Sequence, residues 1–333
     1  MQAPERVDPL DTKAFDKWYD VHAAALAFGR PYPTEMTRDE TLVALTYPNE
    51  FWDNELWMVR DEAGAVVGTL NAELPLKDNT NVLSVQIGVR PDRRRRGIGS
   101  ALFAQASKIA AGNGRTVLQA EVDAPMSGVS PGSEFARACG FTLANTEVHR
   151  VLELPLSEAL LDELAAEAAE RHEGYRMVTW RDRCPDELVD AYAELNTVFS
   201  AEAPSGDLEW ESEHWDAERV RYHEGKAREQ KRRTWTTVAV APDGRLAGHT
   251  LLVLPDTDPG KAYQQATLVM PAHRGHRLGL AMKVRNHRDV QDALHGPVVA
   301  HTWNAEQNTH MNAVNALLGY REVEHCQEWQ RQV

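Results

Sequence analysis

The stretch Val89-Arg90-Pro91-Asp92-Arg93-Arg94-Arg95-Arg96-Gly97-Ile98-Gly99-Ser100 decides the fold. It leaves an apolar run, Val82 to Val89, that reads as a strand. It opens into Gly97 to Ala111, where Leu102, Phe103, Ala106, Ile109 and Ala110 recur on one helical face. A strand therefore feeds a loop that becomes a helix N-terminus. Backbone N–H groups there lack intrahelical partners and the helix dipole adds positive potential, so such a terminus attracts anions. Gly97 and Gly99 remove side chains where a ligand must approach the backbone. Arg93 to Arg96 add diffuse charge for several phosphate oxygens, an arrangement suited to a pyrophosphate. GxxxxGK[ST] is absent, which excludes a P-loop NTPase, and the lack of GxGxxG disfavours a dinucleotide fold.

Around this stretch the chain reads as helices, then antiparallel strands, then strand–loop–helix–strand–helix–strand. The helices are Thr12 to Ala27 and Arg38 to Leu45. Leu56 to Arg60 and Val66 to Glu73 are strands about the Asp61–Gly64 turn. Val117 to Val122 is a strand, Glu134 to Cys139 a short helix, and Glu147 to Leu152 a closing strand. This is a mixed α/β sheet.

The pattern then recurs. Gly64 and Gly68 match Gly244 and Gly248, Val89 and Pro91 match Val269 and Pro271, and Arg94, Gly99 and Ala101 match Arg274, Gly279 and Ala281, all 180 residues apart. The chain is two copies of one fold: 1–155, then 175–333, joined by a helix within 156–174. That helix has Leu160, Leu161, Leu164 and Ala168 at helical spacing, Ser157 as N-cap and Gly174 as stop. The length, 333 residues, agrees with two domains of ordinary size.

The net charge of −14 argues against general binding of nucleic acid or anionic membrane. Only three widely spaced cysteines occur, without a CxxC pair, so a disulfide framework or zinc ribbon is not expected and a reducing cytoplasm fits. No metal-ligand spacing, signal region or apolar run of membrane-spanning length is present in the sequence.

With Arg94-x-x-Gly97-x-Gly99 following Val89-Arg90-Pro91, the sequence resembles the GCN5-related N-acetyltransferase (GNAT) family, whose acetyl-CoA signature is Arg/Gln-x-x-Gly-x-Gly/Ala after a strand. The whole chain is similar to its tandem members, the arrangement of mycothiol synthase. The resemblance implies two GNAT domains, a bulged fourth strand, and acetyl-CoA in the gap where that strand splays from the next. It implies cofactor contacts from Ile87, Val89, Arg94, Arg95, Arg96, Gly97, Ile98, Gly99 and Ser100 in copy one. In copy two it implies contacts from Val269, Arg274, Gly275, Gly279, Leu280, Asn304 and Asn308. Arg277 stands where copy two should carry the first glycine of the motif, and it either crowds the pyrophosphate or points away. The alternative for Asn304 and Asn308 is turn and N-cap chemistry.

The implied reaction is acetyl transfer to the amine of a small molecule. The resemblance assigns the oxyanion contact to the Val89 backbone N–H. It places the thiol's proton donor at Ala136 and Asn315, neither of which is the usual Tyr. Glu121 and Glu73 are the candidate bases of copy one, since a carboxylate in a closed cleft has its pKa raised. His249 and His301 are the candidates of copy two. The acidic, Trp-bearing stretch with Glu202, Asp207, Trp210 and Trp215 suits an amine cation. A CoA-binding sensor or scaffold without turnover is the competing reading, and the chain is expected to be a monomer or homodimer.

Overall fold

A computed structural model describes residues 2–333. In chain order the elements are β1 (Glu5–Val7), α1 (Thr12–Ala27), α2 (Arg38–Thr46), β2 (Trp52–Arg60), β3 (Val66–Pro75), β4 (Val82–Val89), α3 (Ile98–Gly112), β5 (Val117–Pro125), α4 (Pro131–Ala138) and β6 (Thr142–Leu154). Then follow α5 (Glu158–Ala169), β7 (Arg176–Arg181), α6 (Val189–Glu202), α7 (Ala217–Glu229), β8 (Arg232–Val240), β9 (Leu246–Pro255), β10 (Lys261–Val269), α8 (Leu278–Gln291), β11 (Val298–Ala305), α9 (Thr309–Leu318) and β12 (Arg321–Gln332). The fold is mixed α/β, and each element from β2 to α4 has a counterpart from β8 to α9.

The compact units are discontinuous in sequence. Unit 1 comprises Met1–Glu147, Ser205–Glu211 and Val323–Val333; unit 2 comprises Val148–Pro204 and Ser212–Glu322. Unit 1 therefore contains the last strand of the second copy. Its strands run in the order β1-β2-β3-β4-β5-β12. β12 lies antiparallel to β5 from Glu324↔Pro125 to Gln332↔Val117. In unit 2 the order is β6-β11-β10-β9-β8-β7, with β6, the last strand of copy one, at its edge.

Local chemistry explains the ends of these elements. Asp11 accepts from Lys13 N and Ala14 N and starts α1. Thr37 and Glu40 form a capping box on α2. Ser157 caps α5, where the spacing of leucines predicts a helix. β2 begins four residues before its predicted start, because Trp52 to Glu55 pair with Pro75 to Ala72. One core of unit 1 packs Leu70, Leu83 and Val85 against Leu102, Ala106 and Ile109 of α3. That face of the sheet is apolar, while the opposite face carries α1 and a polar cleft.

β4 and β5 pair in parallel only at Val82–Ser84 with Val117–Gln119, and then they part. β10 and β11 do the same, pairing only at Lys261–Tyr263 with Val299–His301. Both splayed gaps therefore exist. The expected bulge is found only in copy two, between Gln264 and Thr267 of β10. In copy one β3 and β4 pair without a register shift, a correction to the expected bulge of that strand.

Candidate functional site

The anion loop of unit 1 is a short helical turn, Pro91–Arg93, leading to Gly97 at φ +80 as the N-cap of α3, with no side-chain cap on the helix. Its first N–H groups are thus open to an anion. A Cβ on Gly97 would meet nothing within 4 Å, so glycine is needed there for the left-handed backbone rather than for room. At Gly99 a Cβ would stand 3.1 Å from the Phe135 ring, so the nearest neighbour is α4. The four arginines divide their work. Arg93 pairs with Asp61 at 3.5 Å. Arg94 Nε donates to Val89 O and its guanidinium lies over the Phe28 ring, which fastens the loop to the strand end. Arg95 and Arg96 are exposed and remain for an anion. Ile87 and Val89 turn their side chains to the α3 core.

On the polar face, residues line up in rows across the sheet. One row is Glu73, Ser84, Gln119 and Gln330. In the next, Asn71 pairs with Gln86 across β3 and β4, and Glu121 with Glu328 across β5 and β12. Burial and the neighbouring charges of Glu328, Asp123 and Glu73 push the Glu121 carboxyl up to about 7. Burial, then Glu328 and Glu121, push Glu147 up to about 8. Asp123 rises to about 6 through burial, against the pull of Arg30. Glu328 is raised by burial although Asn145 Nδ2 donates to it at 2.5 Å. Glu121 as a residue still reaches solvent, so its carboxyl is raised by the protein and carboxylates crowded around it rather than by enclosure in a sealed core.

A cation faces these acids. Arg30 reaches Glu35 and Asp123, each at 2.8 Å, and Glu324 at 2.7 Å. Among the described residues, Glu121, Glu147 and Glu328 have no ion pair. Of the candidate bases, the structure brings Glu121 and Glu73 to one cleft. Sequence reasoning passed over Glu147, Glu324 and Glu328. The alternation of Glu324, Cys326, Glu328 and Gln330 marks one face of a strand, but nothing local says which sheet that strand joins.

Unit 2 is built differently at the same positions. His301 stands 180 residues after Glu121, and His149 stands 179 before Glu328. His149 Nε2 and His301 Nδ1 are 2.8 Å apart, and Trp303 stacks on His149 at 4.5 Å. Tyr263 stacks on His301 at 5.6 Å. Aromatic rings therefore fill the face that is acidic in unit 1. His249 is buried with neither ring nitrogen bonded, and burial pushes its pKa down to about 4.

The second loop keeps the same latch: Arg274 Nε donates to Val269 O, as Arg94 does to Val89 O. Arg277 holds φ +53 in the place of Gly97 and donates to Glu167 O at 2.6 Å, so it points toward α5. Gly275 lies in the turn at φ +85, and Leu280 is buried in the core. Asn308 accepts from Met311 N and caps α9. Asn304 accepts from Asn315, which accepts in turn from the buried Lys283 at 2.7 Å. Glu202 pairs with Arg274 at 2.6 Å, and Trp215 lies against Arg219 and His223. Asp207 and Trp210 belong to unit 1, and Glu202 and Trp215 to unit 2. Among the described residues no cluster of three or more His, Cys, Asp or Glu could hold a metal, and no helix is long and apolar enough to cross a membrane.

Residues 18–141 match the acetyltransferase (GNAT) family. The chain is similar over 99% of its length to 98% of a tandem GNAT protein from the clavulanic acid biosynthesis pathway, at 28% identity and a TM-score of 0.80. It shares its fold with a GCN5-related N-acetyltransferase from Sphaerobacter thermophilus, at 15% identity and TM-score 0.66, covering 99% of this chain and 95% of that one. A fungal glucosamine N-acetyltransferase region within a multi-domain β-N-acetylglucosaminidase also shares the fold, at 13% identity and TM-score 0.66, covering 98% and 38%. No curated protein matches.

Proposed function

We propose that this chain, a tandem GNAT-fold acyltransferase, transfers the acetyl group of acetyl-CoA to the amine of a small molecule, and that unit 1 carries the reaction. The observation that carries this is Glu121: a carboxylate raised to about 7, beside the gap where β4 and β5 part, in an acidic cleft that Arg30 enters. Such a group holds an ammonium and takes its proton near neutral pH.

The residues present fit acetyl-CoA. The uncapped start of α3 with Arg95 and Arg96 would hold the pyrophosphate, and the β4 edge ending at Val89 would hold the arm and the thioester oxygen. Bound there, acetyl-CoA supplies an activated acetyl thioester. Glu121 takes a proton from the incoming ammonium, directly or through water. Glu328 and Glu73 keep a positive charge in the cleft before the proton leaves. The amine forms the new C–N bond, the C–S bond breaks, and a proton returns to the thiolate. Ala136 and Asn315 stand at the family's donor positions and neither is acidic, so water delivers that proton.

A second reading applies to unit 2. Its ring-filled face and Arg277 favour a domain that binds CoA or shapes the protein without accepting an amine. Arg274, Gly279 and Asn304 are the residues by which it would bind. In this reading copies 1–155 and 175–333, joined through 156–174, work as one cytoplasmic enzyme, a monomer or homodimer.

The test is thiol release from acetyl-CoA with a panel of primary amines, alongside thermal stabilisation by acetyl-CoA. Amine-dependent release that Glu121→Gln suppresses supports the transferase. Stabilisation without release by any amine would favour the sensor for both copies.

A further inference from the structure

Unit 1 includes a seven-residue segment, Ser205–Glu211, from the second copy. Its backbone is gripped by side-chain amides. Asn79 clamps Glu211 on both sides, accepting from its N–H at 2.6 Å and donating to its carbonyl at 3.0 Å. Glu209 N–H donates to Gln330 Oε1 at 2.7 Å, and Gln119 Nε2 donates to Glu209 O at 3.2 Å and to Gln330 Oε1 at 3.1 Å. Asp207 N–H donates to Ala144 O at 2.9 Å. Gly206 sits at φ +60, where a Cβ would collide with the Ala144 carbonyl. The contact is specific, and it is made mostly through main chain.

The position of the clamps is informative. Gln119 and Gln330 are a cross-strand pair, two residues along from the pair Glu121 and Glu328 on the same sheet face. The segment thus crosses the sheet about 7 Å from the base. Trp210 stacks on Trp52 with ring centroids 6.4 Å apart and planes at 16°. Trp52 is in register with Pro75, two residues from Glu73, and so shares the face of the acidic cleft. Asp207 and Glu211 are exposed, and Trp210 is half-buried. A segment fixed by its backbone with its carboxylates and indole displayed is arranged to present them. Side chains used only for packing would be turned inward.

We propose that Ser205–Glu211 is a specificity wall of the unit 1 cleft, selecting an extended amine with a second positive charge beyond the nitrogen that is acetylated. This rests on the acceptor reading above. Trp210 and Trp52 cover the carbon chain of the amine, and Asp207 and Glu211 receive the distal cation. Copy two then contributes to the reaction of copy one both the wall and Glu328.

The experiment is calorimetric titration of the full-length protein with hexane-1,6-diamine and with hexylamine at equal ionic strength. The diamine should bind at least tenfold more tightly than the monoamine. Two surface variants, Trp210→Ala and the pair Asp207→Asn with Glu211→Gln, should each cut that preference several-fold while leaving acetyl-CoA affinity unchanged. No preference for the diamine, or a preference that survives both variants, overturns the proposal. A diamine that binds through the segment but never releases thiol would sink the transferase reading and leave the wall standing. Equal acetylation of both amines would do the reverse.

Discussion

Glu121 and Glu328 face each other directly across β5 and β12, and they come from different copies of the repeat. Two carboxylates so close cannot both ionise cheaply, which is part of why the Glu121 carboxyl is pushed up to about 7. A base must be deprotonated to act, so kcat/KM should rise with pH through about 7 and then level. Glu121→Gln should lower kcat/KM by about a hundredfold and flatten that rise. Glu328→Gln should move the rise to lower pH, because it removes a negative neighbour of Glu121. A profile unmoved by Glu328→Gln would separate the pair.

The same cluster should show in stability. The Glu147 carboxyl is pushed up to about 8, above the unfolded value, so the folded state binds more protons than the unfolded state from about 4.5 to 8. Its contribution to stability therefore falls as pH rises through that window. The buried His22 and His249, both pushed down to about 4, act oppositely and lose stability as pH falls below 6.5. Thermal melts of Glu147→Gln and the parent at pH 5 and pH 8 isolate the acid. The variant should gain relative to the parent at pH 8 and match it more closely at pH 5.

How far this site was legible depends on which contacts are local. α1 ends where it does because Asp11 caps its start and Gly29 follows its end, all within one stretch of sequence. The 180-residue spacing exposed the repeat because equivalent loops need the same residues, as the matching latches of Arg94 and Arg274 show. Glu121 was readable as a strand carboxylate. Its partner was not, because the closing strands are alike in both copies and their edge pairing depends on long-range geometry. The same holds for Asp207 and Trp210: the repeat assigns them to copy two, and they pack with unit 1.

Gly97 separates backbone strain from ligand contact. A Cβ there meets no atom within 4 Å, yet φ is +80. Gly97→Ala should cost stability of about 1–2 kcal/mol from the left-handed backbone alone, with acetyl-CoA affinity reduced only modestly. Gly97→Glu adds a negative charge at the anion site and should abolish acetyl-CoA binding in unit 1. Titration calorimetry checks both, and unchanged affinity in Gly97→Glu would move the binding site to unit 2.

Lys283 offers a test of unit 2 that needs no ligand. It is 1% exposed on α8, donates to Asn315 Oδ1 and has no ion pair among the described residues, and burial pushes its pKa down to about 7. The unfolded chain keeps the ordinary value near 10.5, so from about 7 to 10.5 the unfolded state binds more protons. The penalty is complete below pH 7 and relaxes as pH rises. Lys283→Met removes the charge at the cost of leaving the Asn315 oxygen without its donor. Its stability relative to the parent should therefore be greatest at pH 7 and decline by about 2 kcal/mol by pH 9. Urea melts at the two pH values read this directly. A difference that does not change between pH 7 and pH 9 would mean that folded Lys283 stays protonated through that window, as it does in the unfolded chain.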